Sequence, residues 1–150
     1  MKNIHLFLML FAGIFYVNTL NAQNETTITF HESHYPLKQN APFSDVVQAG
    51  NLYFLAGQIG MDHSTREMVE RGIQPETEQA IKNIIEVLAQ HNLTLDNVVK
   101  CTVILSTMED FTAFNEVYTK YFTKKPARTT FAAAGLARNA KVEIEVMAVK

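Results

Sequence analysis

Near the C-terminus, Arg128 lies in the stretch Lys125-Pro126-Ala127-Arg128-Thr129-Thr130-Phe131, and Glu143 and Glu145 follow in Lys141-Val142-Glu143-Ile144-Glu145-Val146. A guanidinium is a planar fork of donors that matches a carboxylate through two parallel hydrogen bonds, and a strand position holds such a fork still. A glutamate in a partly dry cleft can orient water and move protons, with its pKa raised by desolvation and lowered by a nearby arginine. Together these residue types suit the binding of a small carboxylate and acid/base chemistry beside it. Each has a plainer alternative. Arg128 could pair with Glu143 or Glu145 on the surface for less than about 1 kcal/mol, and Glu143 could be a solvated partner of Lys141.

Other chemistries find less support. The five histidines do not cluster: His31 and His34 fall in an expected loop and His63 and His91 are isolated, so no metal site is expected. Ala56-Gly57-Gln58 is too short for a phosphate-binding loop, and Ser44 and Ser64 lack a paired base. The single cysteine, Cys101, sits in the apolar run Val98 to Leu105 and reads as core, with no disulfide framework possible. Formal net charge is -2 and the basic residues form no stripe, so nucleic-acid affinity has no electrostatic footprint.

The elements that must position these residues follow from periodicity. Thr27 to Glu32 alternates briefly and predicts an edge strand. Val46 to Gln48, a turn at Ala49-Gly50-Asn51 and Leu52 to Gln58 predict a hairpin closed by Gly57. Pro75 opens a helix running to about His91, with Ala80, Ile81, Ile84, Ile85 and Leu88 on its buried face, and Asn92 ends it. Val98 to Leu105 is a buried strand. A second helix, from about Met108 to Phe122, stacks Phe111, Phe114, Tyr118 and Tyr121 on one side. Thr129, Thr130 and Phe131 favour extended backbone and Val142 to Val149 alternates, which predicts a closing hairpin around Gly135. With an even loop, that hairpin puts Arg128 on the face of Thr130, Glu143 and Glu145, and turns Thr129, Phe131, Val142, Ile144 and Val146 toward the helices.

This order of elements predicts one α+β domain with both helices on one face of the sheet. The other face, with Ala132, Met147 and Val149 beside Arg128, would need a cover, and self-association is the economical one. The N-terminus is set apart. Lys2, an apolar run of about fourteen residues from Ile4 to Val17 and the polar Asn18 to Ala22 predict a secretory signal peptide over residues 1–22, with a retained anchor the lesser reading because the run is shorter than a membrane span. The domain then occupies 23–150, periplasmic or secreted, with no membrane association after cleavage.

The quoted C-terminal segments, with the Gly135-Leu136 turn between them, resemble the signature of the RidA (YjgF) family of enamine/imine deaminases. Asn51-Leu52-Tyr53-Phe54-Leu55-Ala56-Gly57-Gln58-Ile59 is similar to that family's first strand and Ser-Gly-Gln corner, and Asp110-Phe111-Thr112-Ala113-Phe114-Asn115-Glu116-Val117-Tyr118 to its second helix. The likeness runs from roughly Ala41 to Lys150. It implies a chorismate-mutase-like fold and a homotrimer with sites in the clefts between subunits. It further implies that Arg128 binds the substrate carboxylate, Glu143 activates water, and Asn115 and Thr130 belong to the substrate site, with Thr130 standing where the family often has cysteine. Two positions depart from the pattern: Phe43 replaces a tyrosine and Ala56 a serine, removing two hydroxyls worth roughly 0.5–1.5 kcal/mol each in net hydrogen bonding. The implied activity is hydrolysis of small imino acids such as 2-iminopropanoate, the tautomer of 2-aminoacrylate, and 2-iminobutanoate to 2-keto acids and ammonia, without metal or organic cofactor. A ligand-binding trimer without catalysis and an endoribonuclease are the alternatives.

Overall fold

The computed structural model describes residues 26–150. The leader expected over residues 1–22 lies outside them. Strand β1 (Ile28–His31) is the expected edge strand, and β2 (Val46–Ala49) and β3 (Leu52–Leu55) form the expected hairpin. Ala49 pairs with Leu52 across a Gly50-Asn51 loop, and Gly50 has φ +60°, a left-handed angle open to a residue without Cβ. The strand does not continue unbroken to Gln58. It breaks at Ala56 and Gly57 and resumes as β4 (Gln58–Ile59), which pairs with the last strand.

Helix α1 (Ile73–Ala89) starts ahead of Pro75, which sits in the first turn where a missing N–H leaves no bond unmade. Ala80, Ile81, Ile84, Val87 and Leu88 recur at helical spacing and are all fully buried. Ile85, expected on that face, is 37% exposed instead. Then follow β5 (Val98–Leu105), α2 (Phe111–Tyr121), β6 (Ala127–Ala132) and β7 (Val142–Val149). Met108–Asp110, expected to belong to α2, forms a separate 3-10 turn in which the Thr107 side chain accepts from the Glu109 N–H. The fold is α+β, with its hydrophobic core between the two helices and one face of a single sheet.

The sheet order is β1-β2-β3-β7-β5-β6, with β4 also on β7; β6 runs parallel to β5, and every other pairing is antiparallel. The closing hairpin is therefore not formed. β5 lies between β6 and β7. The reason is the helix between β5 and β6: a helical crossover returns the chain parallel to the strand it left, and β7 then takes the other edge of the apolar β5.

This changes every facing. Cys101 pairs with both Arg128 and Val146, and Val103 with both Thr130 and Ile144, so Arg128 and Thr130 share the helix-covered face. Ile104 pairs with Phe131 and Glu143, and Thr102 with Thr129 and Glu145, so the glutamates emerge from the opposite face. Val142, Ile144 and Val146 do face the helices and are buried, but Thr129 and Phe131 do not, and Phe131 is 46% exposed. The open face also carries an apolar row across four strands, Phe30, Val47, Phe54 and Met147 in register. Phe30 is 69% exposed.

Candidate active site

Glu143 is the second residue of β7, half-buried, with Ile59 of β4 on one side and Ile104 of β5 on the other. Burial raises its pKa above the ordinary glutamate value, and the negative charge of Glu145 raises it further. The carboxylate lies against the backbone at Gly57, where a Cβ would come within 2.0 Å of Oε1. Gly57 is thus needed for space. The buried Glu76 of α1 anchors the strand from behind: its carboxylate accepts the Gly72 N–H at 3.3 Å and the Lys141 N–H at 2.6 Å, two residues before Glu143.

Glu143 opens into a cavity of about 290 Å³, shared with Phe43, Gly57, Gln58, His63, Lys38, Arg66 and Arg138 among others. Gln58 is buried; its amide donates to the Ala56 carbonyl at 3.0 Å and its Oε1 accepts from His63 Nε2 at 2.9 Å. Burial, reinforced by Lys38, holds the His63 pKa below the ordinary imidazole value, so this ring is neutral near pH 7. Lys38 pairs with Asp45 at 2.5 Å, both side chains buried. Ala56 does not line the cavity. Its backbone N–H donates to the Asp45 carbonyl at 2.9 Å, and its role is confined to shaping the corner.

Arg128 forms a second, separate centre. Its guanidinium carbon lies 4.6 Å from the Tyr118 ring centroid and 5.6 Å from those of Phe111 and Phe114, a cradle of three rings presented by one side of α2. Such stacking fixes the plane of the fork and leaves its N–H edges for a ligand. Thr130, two residues along β6 on the same face, has its Oγ1 buried without a hydrogen-bond partner, and so has the hydroxyl of Tyr118. Burial first, then Cys101, pushes the Tyr118 pKa up, so the phenol stays protonated and can donate. Asn115 is half-buried on α2, one turn from both Phe111 and Tyr118.

Arg128 and Glu143, expected to share one face of the sheet, lie on opposite faces, and among the described residues no ion pair joins Arg128 to Glu143 or Glu145, or Lys141 to Glu143. Arg128, Thr130 and Asn115 gather at β6 and α2. Glu143 and Phe43 gather at the cavity. Gln58, His63, Arg66 and Arg138 were not among the expected site residues. Gln58 had a signal, its place in the Gly57-Gln58 corner; the others come from irregular loops whose side chains carry no period to read.

A family model described as Endoribonuclease L-PSP matches residues 34–150. The chain is 41% identical over 110 residues to the mouse protein named 2-iminobutanoate/2-iminopropanoate deaminase, covering 73% of this chain and 82% of that one. It is 41% identical over 108 residues to the chloroplastic Reactive Intermediate Deaminase A of Arabidopsis thaliana, covering 71% of this chain and 58% of that longer protein. Among solved structures, E. coli TdcF with bound serine superposes with a TM-score of 0.69 at 28% identity, covering 73% of this chain and 89% of that one. A fold with the same sheet and helices, a family match over most of the chain and relatives at this identity agree with the signature around Arg128 and Glu143: the chain belongs to the RidA (YjgF) family, whose model bears the Endoribonuclease L-PSP description.

Proposed function

We propose that this protein hydrolyses small 2-imino acids such as 2-iminopropanoate and 2-iminobutanoate to 2-keto acids and ammonia, in sites assembled between subunits of a homotrimer. The observation that carries this reading is the division of the chemistry: one chain holds an arginine fork in an aromatic cradle on one face and a half-buried glutamate in a cavity on the other, each incomplete alone. A second copy brings its Arg128 to the first copy's Glu143. The apolar row of Phe30, Val47, Phe54 and Met147 supports such packing, because an uncovered band of this kind is a contact surface.

In the assembled cleft, Arg128 holds the substrate carboxylate, with Thr130, Asn115 and the Tyr118 hydroxyl as nearby polar groups. Glu143 orients a water, takes its proton as the oxygen adds to the imine carbon, and hands that proton to the imine nitrogen. Collapse of the carbinolamine then breaks the C–N bond and releases ammonia, with the hydroxyl proton passing back through Glu143. A carboxyl group with a raised pKa suits both the giving and the taking. Imines of this kind already hydrolyse in water, so positioning and one acid/base group suffice.

The names of the mouse and Arabidopsis relatives support the reaction, and the serine bound to TdcF supports a site for a small amino-acid-like ligand. The family description favours a nuclease, and the net charge of -2 with no basic stripe along the sequence weighs against it. Phe43, which lines the cavity without a hydroxyl, favours a third reading, a trimer that binds keto acids without turning imines over. The mature chain begins at Gln23 and works outside the cytoplasm. An imino acid generated in situ by an amino-acid oxidase, followed with and without the purified protein, separates these readings. Faster loss with protein is expected, loss at the spontaneous rate leaves the binding trimer, and cleavage of a labelled RNA by the same preparation would favour the nuclease.

A further inference from the structure

The cavity beside Glu143 holds more positive charge than a monocarboxylate site with its own Arg128 requires. Of its three cations, Lys38 is engaged by Asp45 at 2.5 Å. Arg66 and Arg138 are not: among the described residues neither takes part in an ion pair, and Arg66 Nη1 is buried with no hydrogen-bond partner. Both are held in left-handed backbone, Arg66 at φ +63° and Arg138 at φ +58°, conformations that cost an L-residue with a side chain free energy. Two independent loops thus each place an arginine, at such a cost, on the wall of one cavity. The Arg66 turn is firm, since Asp62 Oδ1 accepts the N–H groups of Ser64 and Thr65 and the Arg66 N–H donates to the Asp62 carbonyl.

These cations are not there to neutralise the catalytic carboxylate. Among the described residues no ion pair joins Arg66 or Arg138 to Glu143, although all three line the same cavity. A volume of about 290 Å³ lies at the small end of ligand pockets and suits a chain of a few carbons.

We propose that this cavity is a second anion subsite, in which Arg66 and Arg138 hold the distal carboxylate of a dicarboxylic 2-imino acid of four or five carbons while Glu143 acts at its imine. The identity of the ligand as an imino acid rests on the deaminase reading; the affinity of the cavity for a second carboxylate does not. The reaction balances as before: water adds across C=N, the C–N bond breaks, and ammonia leaves a dicarboxylic keto acid.

The test uses the whole assembled protein and two readouts. In calorimetric titrations, 2-ketoglutarate and oxaloacetate should bind at least tenfold more tightly than 2-ketobutyrate and pyruvate, and the preference should shrink as salt is raised. The paired substitution Arg66→Gly with Arg138→Gly should reduce that preference to less than twofold. Glycine removes each cation while fitting the left-handed backbone, so the variant folds, and a retained melting transition checks this. Arg66→Lys with Arg138→Lys should keep part of the preference. In the second readout, imines generated from glutamate and alanine by their oxidases are compared, and the ratio of their kcat/KM values should fall at least tenfold in the glycine pair. Equal binding of mono- and dicarboxylates by wild type, or a preference that survives in the glycine pair, overturns the proposal. A dicarboxylate preference lost in the glycine pair, without turnover of any imine, sustains the subsite and ends the deaminase reading instead.

Discussion

Arg128→Ala should abolish imine turnover, and Arg128→Lys should restore little of it, because an ammonium neither stacks flat on Tyr118 nor forms a bidentate pair. Steady-state kinetics on oxidase-generated 2-iminopropanoate measures both. Glu143→Gln keeps shape and loses the proton acceptor. Turnover should fall by about 10²–10⁴ while pyruvate still binds, a pattern that separates chemistry from affinity. The raised pKa of Glu143 has a definite sign in the pH profile: the base form disappears as pH falls, so the acid limb of kcat should lie above the ordinary glutamate value near 4.5. Glu145→Gln removes the neighbouring charge that contributes to the shift, and should move that limb to lower pH. A limb that does not respond to Glu145→Gln would assign it to another group. Phe43→Tyr should raise turnover if the absent hydroxyl limits the rate, since this side chain lines the Glu143 cavity.

At the scale of elements, the corner between β3 and β4 and the start of α1 jointly place β7. Gly57→Ala would set a Cβ within 2.0 Å of the Glu143 carboxylate. The side chain must swing away, and a displacement of about 1 Å is enough to cost on the order of 10²-fold in rate. The melting transition should remain, because the neighbour that yields is the end of a side chain. Glu76→Ala acts differently. It leaves the part-buried N–H groups of Gly72 and Lys141 without their carboxylate acceptor, at up to about 1–3 kcal/mol each, so chemical denaturation should show a loss of stability and activity should fall with it. Both helices were legible from apolar spacing, Pro75 and Asn92, but the break in the strand at Ala56 and Gly57 was not. Nor was the pairing of β6. Two alternating segments with a glycine between them satisfy the local rules for a hairpin, and only the strand-helix-strand order of β5, α2 and β6 argued for a parallel crossover.

For the whole molecule, light scattering on the chain from Gln23 should return about three times the monomer mass. Phe54→Asp, within the apolar row of the open face, should dissociate the assembly and remove turnover together, since no single chain holds both Arg128 and Glu143 in one site. A fully active monomer would contradict the shared site. N-terminal sequencing of protein from its native host should begin at Gln23, and an intact Met1 in a cytoplasmic fraction would overturn secretion.

The sequence by itself determined the element types, the α+β class and the family, and singled out Arg128 and Glu143 as candidates, because apolar period, helix punctuation and the signature around those two residues all act over short stretches of chain. The facing read from it, with Arg128 on the side of Glu143, was wrong. Side chains alternate with a period of two, so whether Arg128 points with Glu143 or away from it depends on which strand lies between them. That was settled by the competition for the edges of β5, a contest among segments far apart in the chain, won by a helical crossover on one side and an antiparallel return on the other. The same long-range packing gathered Arg66, Arg138 and His63 around Glu143. These come from separate loops without periodicity, and only the closed fold makes them neighbours.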